Sequence, residues 1–235
     1  YQDTNSQNPT FGSVSGGERN GVPIAWRSTE HNITTYAALR YLSDITGNPA
    51  YNTKANQIKN YLLNRMWTGT KFLTGWNDTT QFLDVNSWAV LALGQRPNGI
   101  DISSCLEWAY DNLAIYDNWD ATITNIHGFD ENKSYNLPLD KVWSEGSEGM
   151  VGAYYKIGNS TYAKYFHNQT YRYQQANGGV PYSTPNSDGS DWPQYNSIAG
   201  TTWFYFNEAN PAFNPLDPYL ASSGVGSLLV DDFND

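Results

Sequence analysis

Beyond residue 28, apolar side chains recur every three or four positions, and this spacing predicts seven helices. Ile33, Ala37, Tyr41 and Ile45 mark the first, over about 30–46, closed by Gly47-Asn48-Pro49. Tyr51, Ala55, Ile58, Leu62 and Met66 mark a second over about 50–67, and Leu83, Trp88, Leu91 and Ala92 a third over about 80–94. The same reading predicts further helices over about 102–116, 144–157, 160–175 and 198–209. Residues 1–27, rich in Gly, Asn, Ser and Pro, have no period and read as an irregular lead-in with short extended pieces.

The seven helices alternate in character. The first, third, fifth and seventh are apolar or small nearly all round, while the second, fourth and sixth carry Lys54, Lys59, Arg65, Asp111, Lys164 and Arg172 on one face. Helices apolar all round are buried and amphipathic ones lie at the surface. The alternation therefore predicts an all-α fold of stacked α-hairpins curled into a double ring, an (α/α)n toroid of the six-hairpin type. A superhelical array of repeats is the alternative, but no sequence motif recurs at a fixed period. Seven helices fill only part of such a ring, so 28–215 reads as a partial toroid and 216–235 as a C-terminal extension or the start of a further module. The beginning at Tyr1 and the final Asp231-Asp232-Phe233-Asn234-Asp235 read as cuts through a longer chain.

Composition narrows the function. Only 15% of the 235 residues are charged, and the net charge is −10. No basic stripe exists to neutralise phosphates, which argues against nucleic acid. No apolar run approaches the roughly 18–20 residues that span a bilayer. Nine Trp and eighteen Tyr on an otherwise polar, uncharged background suit an extracellular protein that meets carbohydrate. Asn-x-Ser/Thr sequons at Asn32, Asn77, Asn132, Asn159 and Asn168 point the same way. The single cysteine, Cys105, lies in an apolar stretch and reads as a buried structural thiol.

Candidate chemistry gathers at the starts of the four buried helices: Ser28-Thr29-Glu30-His31-Asn32, Asp84-Val85-Asn86-Ser87-Trp88, Trp143-Ser144-Glu145-Gly146-Ser147-Glu148-Gly149 and Ser197-Ile198-Ala199-Gly200-Thr201-Thr202-Trp203. Inner helices of a toroid run in one direction, so these starts converge at one end. Glu30, Asp84 and Glu145 would there form paired carboxylates, one kept protonated and one ionised, as glycosidic hydrolysis requires. His31, Asn32, Glu148 and Thr202 would contact substrate, and Trp88, Trp143 and Trp203 would stack on sugar rings. Capping is the plainer reading of single residues here, since Ser and Thr cap helices and acids favour a first turn. His127 and His167 lack a second ligand at metal spacing, so neither a metal site nor a cofactor is expected. There is no nucleophile elbow and no phosphate-cradling loop.

Together Ser28–Asn32, Leu83–Ala89, Gly128-Phe129-Asp130, Trp143–Met150 and Thr201-Thr202-Trp203-Phe204 resemble a group of largely uncharacterised secreted (α/α)6-barrel proteins that look like glycoside hydrolases. The resemblance covers most of 25–215, and Ser147 stands where that pattern more often has Thr. It implies that this stretch is the C-terminal half of the barrel, that Glu30, Asp84 and Glu145 line the pocket, and that His31 and Asn32 contact substrate. The leading expectation is a secreted or cell-surface enzyme cleaving a poly- or oligosaccharide by acid/base catalysis. A non-catalytic glycan-binding, surface or filament-forming protein on the same fold is the rival, associating with like subunits or with the rest of the barrel. A polysaccharide lyase is disfavoured by several acids and little Arg.

Overall fold

The structure is a computed structural model that describes residues 1–133, 139–185, 195–209 and 214–217. It is mostly helical, with two small antiparallel ribbons. The lead-in forms β1 (Glu18–Arg19) and β2 (Val22–Pro23). Seven helices follow: α1 (Thr29–Thr46), α2 (Pro49–Tyr61), α3 (Asp84–Leu93), α4 (Ser104–Leu113), α5 (Ser144–Lys156), α6 (Ser160–Tyr171) and α7 (Ile198–Ala209). Between α4 and α5, β3 (Ala114–Asp117) pairs with β4 (Ile126–Phe129).

Local chemistry sets the turns. α1 stops at Gly47, whose φ of 66° lets its N–H reach Ser43 O at 2.9 Å, and Asn48 then caps α2 with Pro49 in the first turn. α2 continues through a π turn over Leu62–Met66. Three expected boundaries shift. The third helix begins at Asp84 rather than residue 80, because Leu83 N–H is taken by Glu131 O. The fourth spans Ser104–Leu113, since Ala114–Asp117 peels away to pair with β4. The sixth ends at Tyr171. A β-strand needs a partner distant in sequence, which periodicity does not report.

Packing follows the alternation. α1 with α2, α3 with α4 and α5 with α6 form hairpins, while α1, α3, α5 and α7 lie side by side in that order. α3 and α5, flanked on both sides, bury most of their length. Gly146, Gly149 and Gly152 give α5 a bare stripe toward α3. A Cβ on Gly149 would sit 3.3 Å from Ser87 Oγ, and one on Gly152 3.5 Å from Leu91. The expectation of full burial is corrected for α1 and α7, the ends of the row. Tyr41, Leu42 and Ile45 on α1, and Ile198 and Tyr205 on α7, are exposed, because among the described residues each of these helices has a row neighbour on one side only. Residues 218–235, read from sequence as an extension, lie outside the described residues. No described helix is long and apolar enough to cross a membrane.

Candidate active site

The starts of α1, α3 and α5 are anchored in the same way. In each, the residue two places after the acid accepts a backbone N–H from the segment that runs past the helix start. Asn32 Oδ1 takes Val14 N–H at 2.8 Å, Asn86 Oδ1 takes Phe72 N–H at 3.0 Å, and Ser147 Oγ takes Phe129 N–H at 3.0 Å. The two asparagines also donate back to a carbonyl four residues earlier, Asn32 to Ser28 O at 2.7 Å and Asn86 to Phe82 O at 2.9 Å. α7 keeps the anchor, with Thr201 Oγ1 accepting Val180 N–H at 2.9 Å, but has Ala199 where the acid would stand. Equivalent anchors on neighbouring helices hold Glu30, Asp84 and Glu145 at equivalent places, and this brings the three together.

Their proximity is felt electrostatically. Burial, then the charges of Glu30 and Glu145, push the Asp84 carboxyl up from 3.8 to about 7, against the opposing pull of a 2.7 Å hydrogen bond from Val85 N–H. Burial, then the charge of Glu30, also raise Glu145. Glu30 is partly open, its side chain 37% exposed and its Oε2 4.0 Å from His31 Nε2. Among the described residues none of these acids is ion-paired with Lys or Arg. Nor do three His, Cys, Asp or Glu side chains come together there as a metal-binding group. Burial and the neighbouring acids favour the protonated form of the Asp84 carboxyl near neutral pH, as a proton donor requires.

Aromatic rings frame the acids. Trp26 tilts over His31 at 5.2 Å, Trp88 stacks on Trp203 at 6.0 Å, and Trp143 leans on Tyr182 at 6.4 Å. Gly146 has no alternative here, since a Cβ would lie 2.2 Å from the Trp143 ring and 2.7 Å from Leu83. Trp26 is exposed and Trp88 half-buried, whereas Trp143 and Trp203 are nearly buried and pack as walls. Trp88 and Trp143 each keep a buried indole N–H without a protein partner.

Two expected substrate contacts are corrected. Asn32 is fully buried as the α1 anchor, which also removes its sequon from reach. Glu148, about a turn further along α5, is fully buried, its Oε2 bonded to His167 Nδ1 at 3.0 Å and Asn207 Nδ2 at 2.8 Å, so a ligand does not reach it. Thr202 is exposed and lines a separate recess with Asn177, Asn196 and Tyr205, in which none of the three acids takes part. Sequence reasoning missed Tyr182. Its hydroxyl donates to Glu131 Oε2 at 3.1 Å, and burial, the charge of Glu131 and that of Glu145 hold it above the ordinary tyrosine range. Tyr182 lies in an aperiodic segment, and bonds such as Ser144 N–H to its carbonyl and Thr184 N–H to Val142 O bring it to the start of α5.

No family model and no curated protein matches the sequence. Solved structures do match the fold. One is a glycosidase variant in complex with glucose, with a TM-score of 0.60 over 84% of this chain at 10% identity. The match spans 55% of that chain, so this sequence covers about half the length of its structural neighbour. The protein thus has a glycosidase-like helical fold, with three electrostatically coupled carboxyl groups at the starts of α1, α3 and α5.

Proposed function

We propose that this chain is part of an exported glycoside hydrolase on an (α/α) toroid, acting on a poly- or oligosaccharide. The carrying observation is the Asp84 carboxyl, held near 7 by burial and by the charges of Glu30 and Glu145. Asp84 is the general acid: it gives its proton to the glycosidic oxygen as the anomeric C–O bond breaks. Glu30, whose side chain is 37% exposed, takes a proton from the attacking water, while burial and the charges of Glu30 and Glu145 favour the protonated form of Asp84. Trp26 and Trp88, which retain open surface, meet the sugar faces, with His31 at the rim. The side-by-side row of α1, α3, α5 and α7 and the longer glycosidase neighbour support the toroid. Low charge and the remaining sequons support export.

The test is a panel of polysaccharides scored for reducing ends with wild type, Asp84→Asn, Glu30→Gln and Glu145→Gln. Loss of an acid or base lowers turnover by about 10²–10⁴-fold. Unchanged turnover in Asp84→Asn and Glu30→Gln on an accepted glycan would sink the assignment. A second reading, a non-catalytic subunit, draws on the exposed apolar side chains of α1 and α7. Glycan binding without turnover by any variant or wild type would favour it.

A further inference from the structure

A second cavity, of about 570 Å³, opens among the start of α4, the end of α5 and the start of α6. The acid cluster sits at the other end of α5: Glu145 and Tyr154 are nine residues apart, about 14 Å along the helix axis. Three tyrosines form its wall. Tyr110 and Tyr162 stack at 5.7 Å, and Tyr154 meets Tyr162 edge-on at 5.4 Å and 87°. Tyr154 is 4% exposed and backed by Phe166 at 6.0 Å, so its ring is fixed. Tyr162 keeps 42% of its surface open. Glu107 and Asp111, one turn apart on α4, stand exposed at the mouth.

The polar groups of this cavity are unbalanced. No Lys, Arg or His lines it. The two carboxylates only accept hydrogen bonds, and Ser103 spends its hydroxyl proton on Asp101 at 2.6 Å, so the donors left are the tyrosine hydroxyls and the Asn159 amide. Burial first, then neighbouring tyrosines and the charges of Asp111 and Glu107, raise the Tyr110 and Tyr154 hydroxyls, so both rings stay neutral with their π clouds intact. Such a surface is negative from two sources, ring faces and carboxylates, and lacks fixed positive charge. A cation carried on apolar carbons matches such a surface, since ring faces and carboxylates both attract it.

We propose that the Tyr110–Tyr154–Tyr162 cavity is a binding site for an organic ammonium ion, with the cation against the tyrosine rings and Glu107 and Asp111 drawing it in. The net charge of −10 favours its approach over long range. This site stands apart from the acids of the hydrolase reading, so either proposal can fail alone.

The probes are choline and its neutral isostere 3,3-dimethylbutan-1-ol, titrated against the unglycosylated protein by NMR and calorimetry, since Asn159 heads a sequon. Choline is expected to bind saturably and to shift resonances of Tyr110, Tyr154 and Tyr162. The isostere, the Tyr162→Ala variant and the Glu107→Gln/Asp111→Asn double variant are each expected to bind about ten-fold more weakly. These positions are exposed, so the variants keep the fold, which circular dichroism checks. Absence of saturable choline binding, equal binding of the isostere, or binding of glucose at these tyrosines in preference to choline would each overturn the proposal.

Discussion

Replacing Asp84 with Asn removes the charge from the most perturbed carboxyl of the cluster while keeping an oxygen for Val85 N–H. Because the folded state holds Asp84 at about 7 against 3.8 when free, folding takes up a proton wherever the pH lies between those values. The stability that this group supplies is complete below 3.8 and is lost as pH rises through about 7. Worked through the linkage relation, ionisable Asp84 costs the wild type about 2 kcal/mol at pH 5 and about 4 kcal/mol at pH 8, relative to acid conditions. Asn carries no such penalty. The advantage of Asp84→Asn over wild type should therefore grow by about 3 kcal/mol between pH 5 and pH 8, taken before rounding, whatever constant offset the new amide adds. Urea unfolding of both proteins at four pH values between these limits reads the difference directly. An advantage that stays flat with pH would refute the reasoning, because it would mean that Asp84 titrates alike in the folded and unfolded chain. The same variant is expected to lose turnover, a gain in stability at the cost of chemistry.

Two further outcomes test the packing around the site. Gly146→Ala should destabilise by about 1–3 kcal/mol, as overpacking does, and should change Trp143 fluorescence; the new methyl would meet that ring at 2.2 Å. His167 joins Glu148 of α5 to Glu208 of α7 at 3.0 and 2.8 Å; burial alone would lower its pKa, but the bonds and charges of the two glutamates outweigh this and raise it. Its contribution is full below about 6.5 and fades as pH rises through the raised value, so His167→Gln should flatten the stability profile above neutrality, read by thermal melts across pH.

The sequence by itself determined where the helices lie, to within a few residues, and that α3 and α5 would be buried. Runs such as Asp84–Leu93, with one charge in ten residues, have no polar face to turn to water, and that fact is local. It also marked Glu30, Asp84 and Glu145, because each is the acid in a first helical turn. What it could not distinguish was Glu145 from Glu148. They are three residues apart on one helix, yet one meets Glu30 and Asp84 while the other is sealed against His167 and Asn207. Periodicity gives the angle between two side chains but not what stands at each angle. Asn32 was misread for the same reason: an amide at a helix start contacts ligand or backbone according to which strand of chain passes it, and here Val14 does. The exposure of α1 and α7 and the arrival of Tyr182 beside α5 likewise depend on neighbours remote in sequence. Tertiary packing alone decided them, because burial and charge coupling belong to pairs of elements rather than to any one.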